Sequence, residues 1–547
     1  MLGIGHTDLE DVTTDHTAAL QKALLEHERL VIDTIVGIQG QVFTKHEGQE
    51  ISCRGIGRLR QLDGPEIKGM LVLNHERCRV DKFKADNPLL LKTTKYGRQG
   101  AIEVRRDYCY ITNSEFTNQL NAVTGPGDYA PHGTRVINNR FIDCLGVGQE
   151  DRGDAVTIWG SGSLIAFNYA SCKVGEDARL AFHCEQPIYT PQAPRPELDQ
   201  MYSLMVGNQA IGSFRRHFAL ENQYHSFMVD NVSLGGATWW AEVMIQCTNC
   251  YARNIIFYDR DRDNVNGASW GVVYGGSCLM NYNTGVRVDS KIFISKKGAG
   301  YGFVQEMKNA GNNEFTFGGE IVFENEDSAN VGIWMNRPYR AHLQNYKILG
   351  ATTGIRVILG DGKDIKPFIR DVGGHIECSG QTHLANIGKG GTYLASDGTF
   401  ITKGMTGADI ANADMVDFST CHFDVGMYPL SCWSTKRVIF KGNASLDPTK
   451  EMFFRYAGKT TVSFAGMDIV AENNHGIRSD VYYQKDDFLY TDTPLNTARR
   501  EPGLMQIGMK AKESNQAFLS MGAKPEDPWM VLPEGNLIVP VPRPVIA

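Results

Sequence analysis

LMVGNQAIGSFRRHFALENQYHSFMVDNVSL, residues 204–234, repeats itself: MVGNQAI at 205–211 returns as MVDNVSL at 228–234, with Asn231 standing 23 residues after Asn208. Working outward, the same asparagine-centred pattern occurs in YITNSEF, VINNRFI, IAFNYAS and YARNIIF, on Asn113, Asn139, Asn168 and Asn254. Successive intervals are 26, 29, 40, 23 and 23 residues. Three positions before each asparagine stand Tyr110, Val136, Ile165, Met205, Met228 and Tyr251. Three positions after stand Phe116, Ile142, Ser171, Ile211, Leu234 and Phe257. A minimum of 23 with occasional excess describes a coil of fixed girth carrying loop insertions. Each turn is several short strands joined by bends; it cannot bury its apolar face alone and stacks on its neighbours. An asparagine at the recurrent bend tolerates left-handed backbone angles and hydrogen-bonds to its stacked equivalents. The expected fold is all-β, a right-handed parallel β-helix.

Bulk properties agree. The 547 residues are 42% hydrophobic and 21% charged, as in a well-packed globular chain. The 58 glycines favour turns and strands over helices. A net charge of −7 argues against nucleic acid as the main partner, since phosphate binding needs a basic face. The 12 cysteines lack the paired spacing of a disulfide scaffold and read as buried thiols of a protein made in a reducing cytosol. The first residues, MLGIGHTDLEDVTTDH, show no signal peptide. No run approaches the roughly 18 apolar residues of a membrane span, so membrane insertion is not expected.

TTDHTAALQKALLEHERLVID reads as a short helix capped by Thr13, Thr14 or Asp15, with Ala19, Leu20, Ala23 and Leu24 as its apolar stripe. It would cover the open end of the coil. The strand-like RLVIDTIVGIQGQVF follows, then a bend at Gly55 and Gly57. With Asp15, Thr17, Ala19, Leu20, Gln21, Ala23 and Leu24 as a D-x-T-x-A-L-Q-x-A-L cap, this arrangement resembles the pectate-lyase-like superfamily as it occurs in bacteriophage tailspikes and capsule depolymerases. The resemblance spans roughly residues 9 to 300 and, more loosely, extends to about 480. It implies a cap helix and first strand at 1–45, a catalytic or binding β-helix at 46–490 and a small C-terminal β element at 491–547, trimer-forming by analogy with tailspikes. It further implies a homotrimer on a virion tail, made in the host cytoplasm and acting at the bacterial surface. No segment reads as a virion anchor, so we expect a tail- or baseplate-attaching region ahead of residue 1.

Within RGDAVTIWGSGSLIAFNYASCKVGEDARLAFH (152–183), Asp154 is followed at 22 and 23 residues by Glu176 and Asp177. One turn of coil separates them, and adjacent rungs lie about 4.8 Å apart. Stacked carboxylates this close leave an acid beside a base at neutral pH, the pairing glycoside hydrolysis needs. The stretch also resembles the N-T-D and G-D-D rungs of polygalacturonase-type inverting hydrolases, which implies catalytic roles for Asp154, Glu176 and Asp177. Here Gly153 replaces the threonine, Glu176 replaces the first aspartate of the pair, and no G-H-G or R-I-K follows at its usual spacing. Inversion is what that resemblance implies, whereas one-rung stacking favours the shorter, retaining separation.

The insertion HCEQPIYTPQAPRPELDQ should form a wall beside these rungs. Arg179, His183, Arg216, His217 and Tyr224 would bind sugar and balance charge, and Trp159, Trp239 and Trp240 could stack on sugar rings. The same basic cluster would serve a polysaccharide lyase, with Arg216, His217 and Tyr224 as its players and calcium on the acidic rungs. A receptor-binding spike that does not cleave is a third reading. Asp259, Asp261 and Asp263 start a calcium-loop pattern, but Asn264 stands where its glycine belongs and Trp270 where its glutamate belongs. The Cys247 and Cys250 pair lacks a second pair at zinc spacing, and the RGIGR glycines precede a strand, which excludes a dinucleotide loop. The expectation is therefore a trimeric β-helical depolymerase that hydrolyses a bacterial surface polysaccharide (capsule, exopolysaccharide or O-antigen), with no metal and no cofactor.

Overall fold

Short alternations such as Tyr251–Tyr258, in which every second side chain is buried, are the rungs of a stacked coil. The computed structural model describes residues 12–64, 67, 69–87, 100–146, 153–173, 178–186, 202–259, 275–280, 282–295, 300–306, 313–324, 330–358, 365–447, 449–450, 452–457, 468–485, 488–492, 504–505 and 541–542. The chain divides into two compact units, Met1–Gly300 and Tyr301–Ala547.

In the first unit the rungs fall into three rows, each strand pairing in parallel with the strand one turn on. The first row begins at Arg29–Ile32 and Glu50–Cys53 and runs on to Tyr251–Tyr258. The second begins at Ile35–Ile38 and Arg58–Gln61. The third runs from Val42–Phe43 through Asn121–Gly125, Asp154–Trp159, Ala178–Glu185, Phe214–Glu221 and Trp240–Ile245 to Gly275–Met280. This is the parallel β-helix that the repeat implied. In the second unit parallel stacking continues, for example from Arg340–Gln344 through Phe368–Val372 and Thr392–Ser396. Among the described residues it ends where Ile477–Lys485 turns back antiparallel to Phe488–Asp492. Of the expected element at 491–547, nearly all lies outside the described residues.

The asparagine repeat is a buried ladder. The Nδ2 groups of Asn139, Asn168, Asn208 and Asn231 each donate to the Oδ1 of the next asparagine at 2.8–2.9 Å. The ladder ends where Asn254 donates to the buried Glu242 carboxylate, which also accepts from Ser277 and Ser290 at 2.7 and 2.8 Å. Two details differ from the sequence reading. Left-handed angles belong to the residue before the ladder position: Asn138, Phe167, Gly207 and Asp230 have φ of 56, 57, 66 and 56°. The ladder asparagine itself spends both ends of its amide on its neighbours and stays buried. Asn113 accordingly stands opposite Asn138, and Ser114 takes the ladder place opposite Asn139. The alignment was one residue out there.

In the column three positions after the asparagine, the last three members face outward. Ile211, Leu234 and Phe257 are 37%, 40% and 44% exposed, and Phe257 stacks on Phe293 at 5.3 Å. The core is instead built from columns such as Ile111, Val136, Ile165, Met205 and Met228, paired rung on rung. Phe141 of the second row, then Phe182 and Phe218 of the third, follow one another at 6.3 and 6.0 Å inside the coil.

The helix runs Thr17–Glu26 and buries Leu20, Ala23 and Leu24, while Ala19 of the expected stripe is exposed. Asp15 Oδ1 accepts from Thr17 N at 3.0 Å. Gln21 docks the helix on the coil, exchanging hydrogen bonds of 3.0 and 2.9 Å with the Phe43 backbone. Gly57 lets the chain pass close, since a Cβ there would meet Ile32 O at 1.9 Å. All twelve cysteines are buried and outside any disulfide. Cys247 and Cys250 give their thiols to backbone carbonyls. No helix among the described residues is long and apolar enough to cross a membrane.

Candidate active site

Four consecutive strands of the third row carry the charged residues that the sequence singled out. Register places Asp154 opposite Leu180, Arg216 and then Trp240; it places Thr157 opposite His183, and Trp159 opposite Glu185 and then Glu221. Gly153 sets the start of the first strand. Its φ is 102°, and a Cβ would meet Leu145 O at 2.8 Å, so the threonine of the hydrolase pattern would not fit here.

Asp154 is buried and receives Arg179 in a two-pronged pair, Nε to Oδ1 at 2.8 Å and Nη2 to Oδ2, with Thr157 Oγ1 donating to the same Oδ2. Burial alone would raise this carboxyl. The Arg179 charge and the hydrogen bonds from Arg179 and Thr157 outweigh burial and hold it below the usual aspartate range. Arg216 pairs with Glu221 and lies 5.7 Å over the buried Trp240 ring. His183, on the same strand as Arg179, is 1% exposed, its Nε2 3.7 Å from Glu185 and 3.6 Å from Glu221. Neither ring nitrogen has a hydrogen-bond partner among the described residues. Burial, then the Arg179 charge, push its pKa down to about 3, so the ring is neutral and these approaches are not ion pairs.

Glu185 behaves oppositely. Burial, then the neighbouring Glu221 charge, push its carboxyl up to about 8, so at neutral pH it keeps its proton. The cluster thus sets a protonated carboxylic acid one rung from an arginine-held carboxylate, with a second arginine-held carboxylate at Asp154. Ligand atoms of His183, Glu185 and Glu221 lie within 4.8 Å of one another, close enough to surround a cation. Glu221 is already engaged by Arg216, so holding a cation there would compete with that pair. The arrangement can move a proton.

Of the residues expected from sequence, Asp154, Arg179, His183 and Arg216 are brought together, and Trp159 stands one rung before Glu185 in the same column. Trp240 is buried beneath Arg216, not open to a ring. His217 corrects another expectation: it is fully buried, its ring nitrogens 2.8 Å from Ser233 Oγ and 3.0 Å from Gly212 O, and takes no part in the cluster. Tyr224 lies in a bend, bridged in parallel to Thr248. Glu176, Asp177 and most of the insertion, residues 187–201, lie outside the described residues, as do Asp261 and Asp263. The sequence reading missed Glu185 and Glu221. Their signal was the shared F-x-x-E of FHCE (182–185) and FALE (218–221), whose phenylalanines stack and whose glutamates pair in register.

No protein-family model matches this chain, and no curated protein does. Among solved structures it is similar to a mutant tailspike protein of E. coli bacteriophage HK620, with 12% identity and a TM-score of 0.38, covering 87% of this chain and 79% of that one. It is also similar to the N-terminal fragment of bacteriophage Phi29 gene product 12, with 9% identity and a TM-score of 0.35, covering 90% of this chain and 93% of that one. At these values the β-helical fold rests on the strand pairing of this chain itself.

Proposed function

We propose that the chain is a phage tailspike depolymerase that hydrolyses glycosidic bonds of a bacterial surface polysaccharide. One observation carries this reading: the proton-bearing Glu185 stands one rung from the arginine-held Glu221, a carboxyl pair of divided roles within 4.8 Å. In this reading Glu185 gives its proton to the glycosidic oxygen as the bond to the anomeric carbon breaks. Glu221 attacks that carbon from the other side, forming a glycosyl ester. Glu185, now ionised, takes a proton from water, and the resulting hydroxide displaces Glu221, for a net consumption of one water per cut. An oxygen separation within 4.8 Å is nearer the double-displacement class, which keeps carboxyls about 5–5.5 Å apart, than the wider inverting class. Asp154 and Arg179 position the strand edge and supply fixed charge, and Trp159 offers a ring face for sugar. Glu176 and Asp177, next in the chain before Ala178, remain second candidates for the carboxylate roles.

Glu185→Gln tests the assignment. The rate on a cleaved polymer should fall by roughly a hundredfold to ten-thousandfold with binding retained. Unchanged turnover in this variant, with loss confined to Glu176 or Asp177 variants, would move the site. Activity abolished by a metal chelator and restored by calcium would favour the lyase, and an intact polymer across a broad panel would favour a spike that only binds.

A further inference from the structure

A second face, within the unit Tyr301–Ala547, has a different character. Along Arg340–Gln344 and Phe368–Val372 side chains alternate, so that Arg340, His342 and Arg370 stand exposed while Ala341, Leu343, Ile369 and Asp371 are buried. An open groove of about 510 Å³ is lined there by Glu314, Tyr339, Arg340, His342, Lys366 and Phe368. A recess of about 170 Å³ adjoins it, sharing His342 and adding Arg370. The larger volume falls within the roughly 300–1,000 Å³ of small-ligand sites.

The chemistry of this lining is specific. Arg340, Lys366 and Arg370 are permanent cations, and Glu314, 3.9 Å from Arg340, is the one acid among the described lining residues. The chain as a whole is negative at −7, so this positive surface is a local departure. Arg340 lies 5.3 Å over the Tyr339 ring, and Phe368 stands 6.4 Å from the His342 ring. Register sets Arg340 opposite Phe368 and His342 opposite Arg370, alternating cation and ring across adjacent rungs. Rungs repeat about every 4.8 Å, close to the length of one sugar ring. A polymer with one carboxylate per ring would meet Arg340 and Arg370 on these two successive rungs and lay its C–H faces on Tyr339 and Phe368. Nucleic acid, with a charge about every 1.7 Å of duplex, is far denser than this spacing.

We propose that this face is a second saccharide-binding groove, without cleavage chemistry, that holds an acidic, uronate-type glycan. It would tether the polymer while the cluster at Glu185 cuts elsewhere. It stands independently of that cluster, and Glu185→Gln protein serves for the test so that turnover cannot mask binding.

Calorimetry with a galacturonate hexamer, against maltohexaose as a neutral control, measures it directly. The uronate should bind and the neutral glycan should not. The double variant Arg340→Gln/Lys366→Gln should weaken binding by about tenfold or more, and added salt should weaken it further. Tyr339→Leu should also weaken it, while Lys347→Gln on the same unit should leave it unchanged. These cations are exposed, so thermal melting of the variants should match the parent. Absence of uronate binding, equal binding of the neutral glycan, or binding indifferent to Arg340 and Lys366 would overturn the proposal. A change of oligomeric state in the double variant would overturn it too, giving the face to a second copy of the chain, and preference for single-stranded DNA would give it to nucleic acid.

Discussion

In the proposed hydrolysis Glu185 is the residue on which the chemistry turns, and its proton also has a stability consequence. Its carboxyl moves from an ordinary 4.5 to about 8 on folding, so the folded chain binds a proton that the unfolded chain has released between those values. The stability tied to that proton is fully present below about pH 4.5 and is lost as pH rises through about 8. Glu185→Gln cannot ionise and should therefore melt higher relative to the parent at pH 9 than at pH 4. A gap in melting temperature that stays constant across this range would contradict the assignment. Asp154, Arg179, His183 and Arg216 were legible in the sequence because charged residues crowded one stretch. Glu185 and Glu221 were not, because the insertion between their rungs stretched the repeat to its longest interval and hid that FHCE and FALE are successive turns. Trp240 and His217 were misjudged for another reason: residue type does not tell which side of a strand wall a ring faces, and both are buried.

The asparagine ladder is the element that ties rung to rung. Asn208 is fully engaged, accepting from Asn168 Nδ2 at 2.9 Å and donating to Asn231 Oδ1 at 2.8 Å and Ile165 O at 2.9 Å. Asn208→Ala would orphan several buried polar groups, each costing about 1–3 kcal/mol, so a loss of roughly 3 kcal/mol or more is expected in urea denaturation. Asn113→Ala, at an exposed bend off the ladder, should cost under about 1 kcal/mol. Equal losses would show that the ladder holds no special place. The coil was legible here because a repeat of fixed length admits few folds. Which residue of the repeat bends and which stacks was not, since asparagine is suited to both tasks and only the register separates Asn113 from Ser114.

At the scale of the whole molecule, the ridge of Ile211, Leu234 and Phe257 is the surface that asks for a partner, because a row of exposed apolar side chains along stacked rungs is costly in water. A second copy of the chain is the occupant proposed for it. If a second copy sits there, Leu234→Glu together with Phe257→Glu should lower the mass seen in sedimentation, and an unchanged mass would leave the ridge to another partner. The sequence marked these residues as an apolar column without giving its side, since such a column in a coil can face inward or toward a neighbouring chain with the same spacing. The most direct test of the central claim is to digest a cleaved surface polysaccharide in heavy-oxygen water and weigh the fragments. One heavy oxygen should enter at each new reducing end, and the yield of labelled ends should collapse in Glu185→Gln. Fragments without added water that carry the ultraviolet absorbance of an unsaturated uronate would contradict hydrolysis and the role given to Glu185.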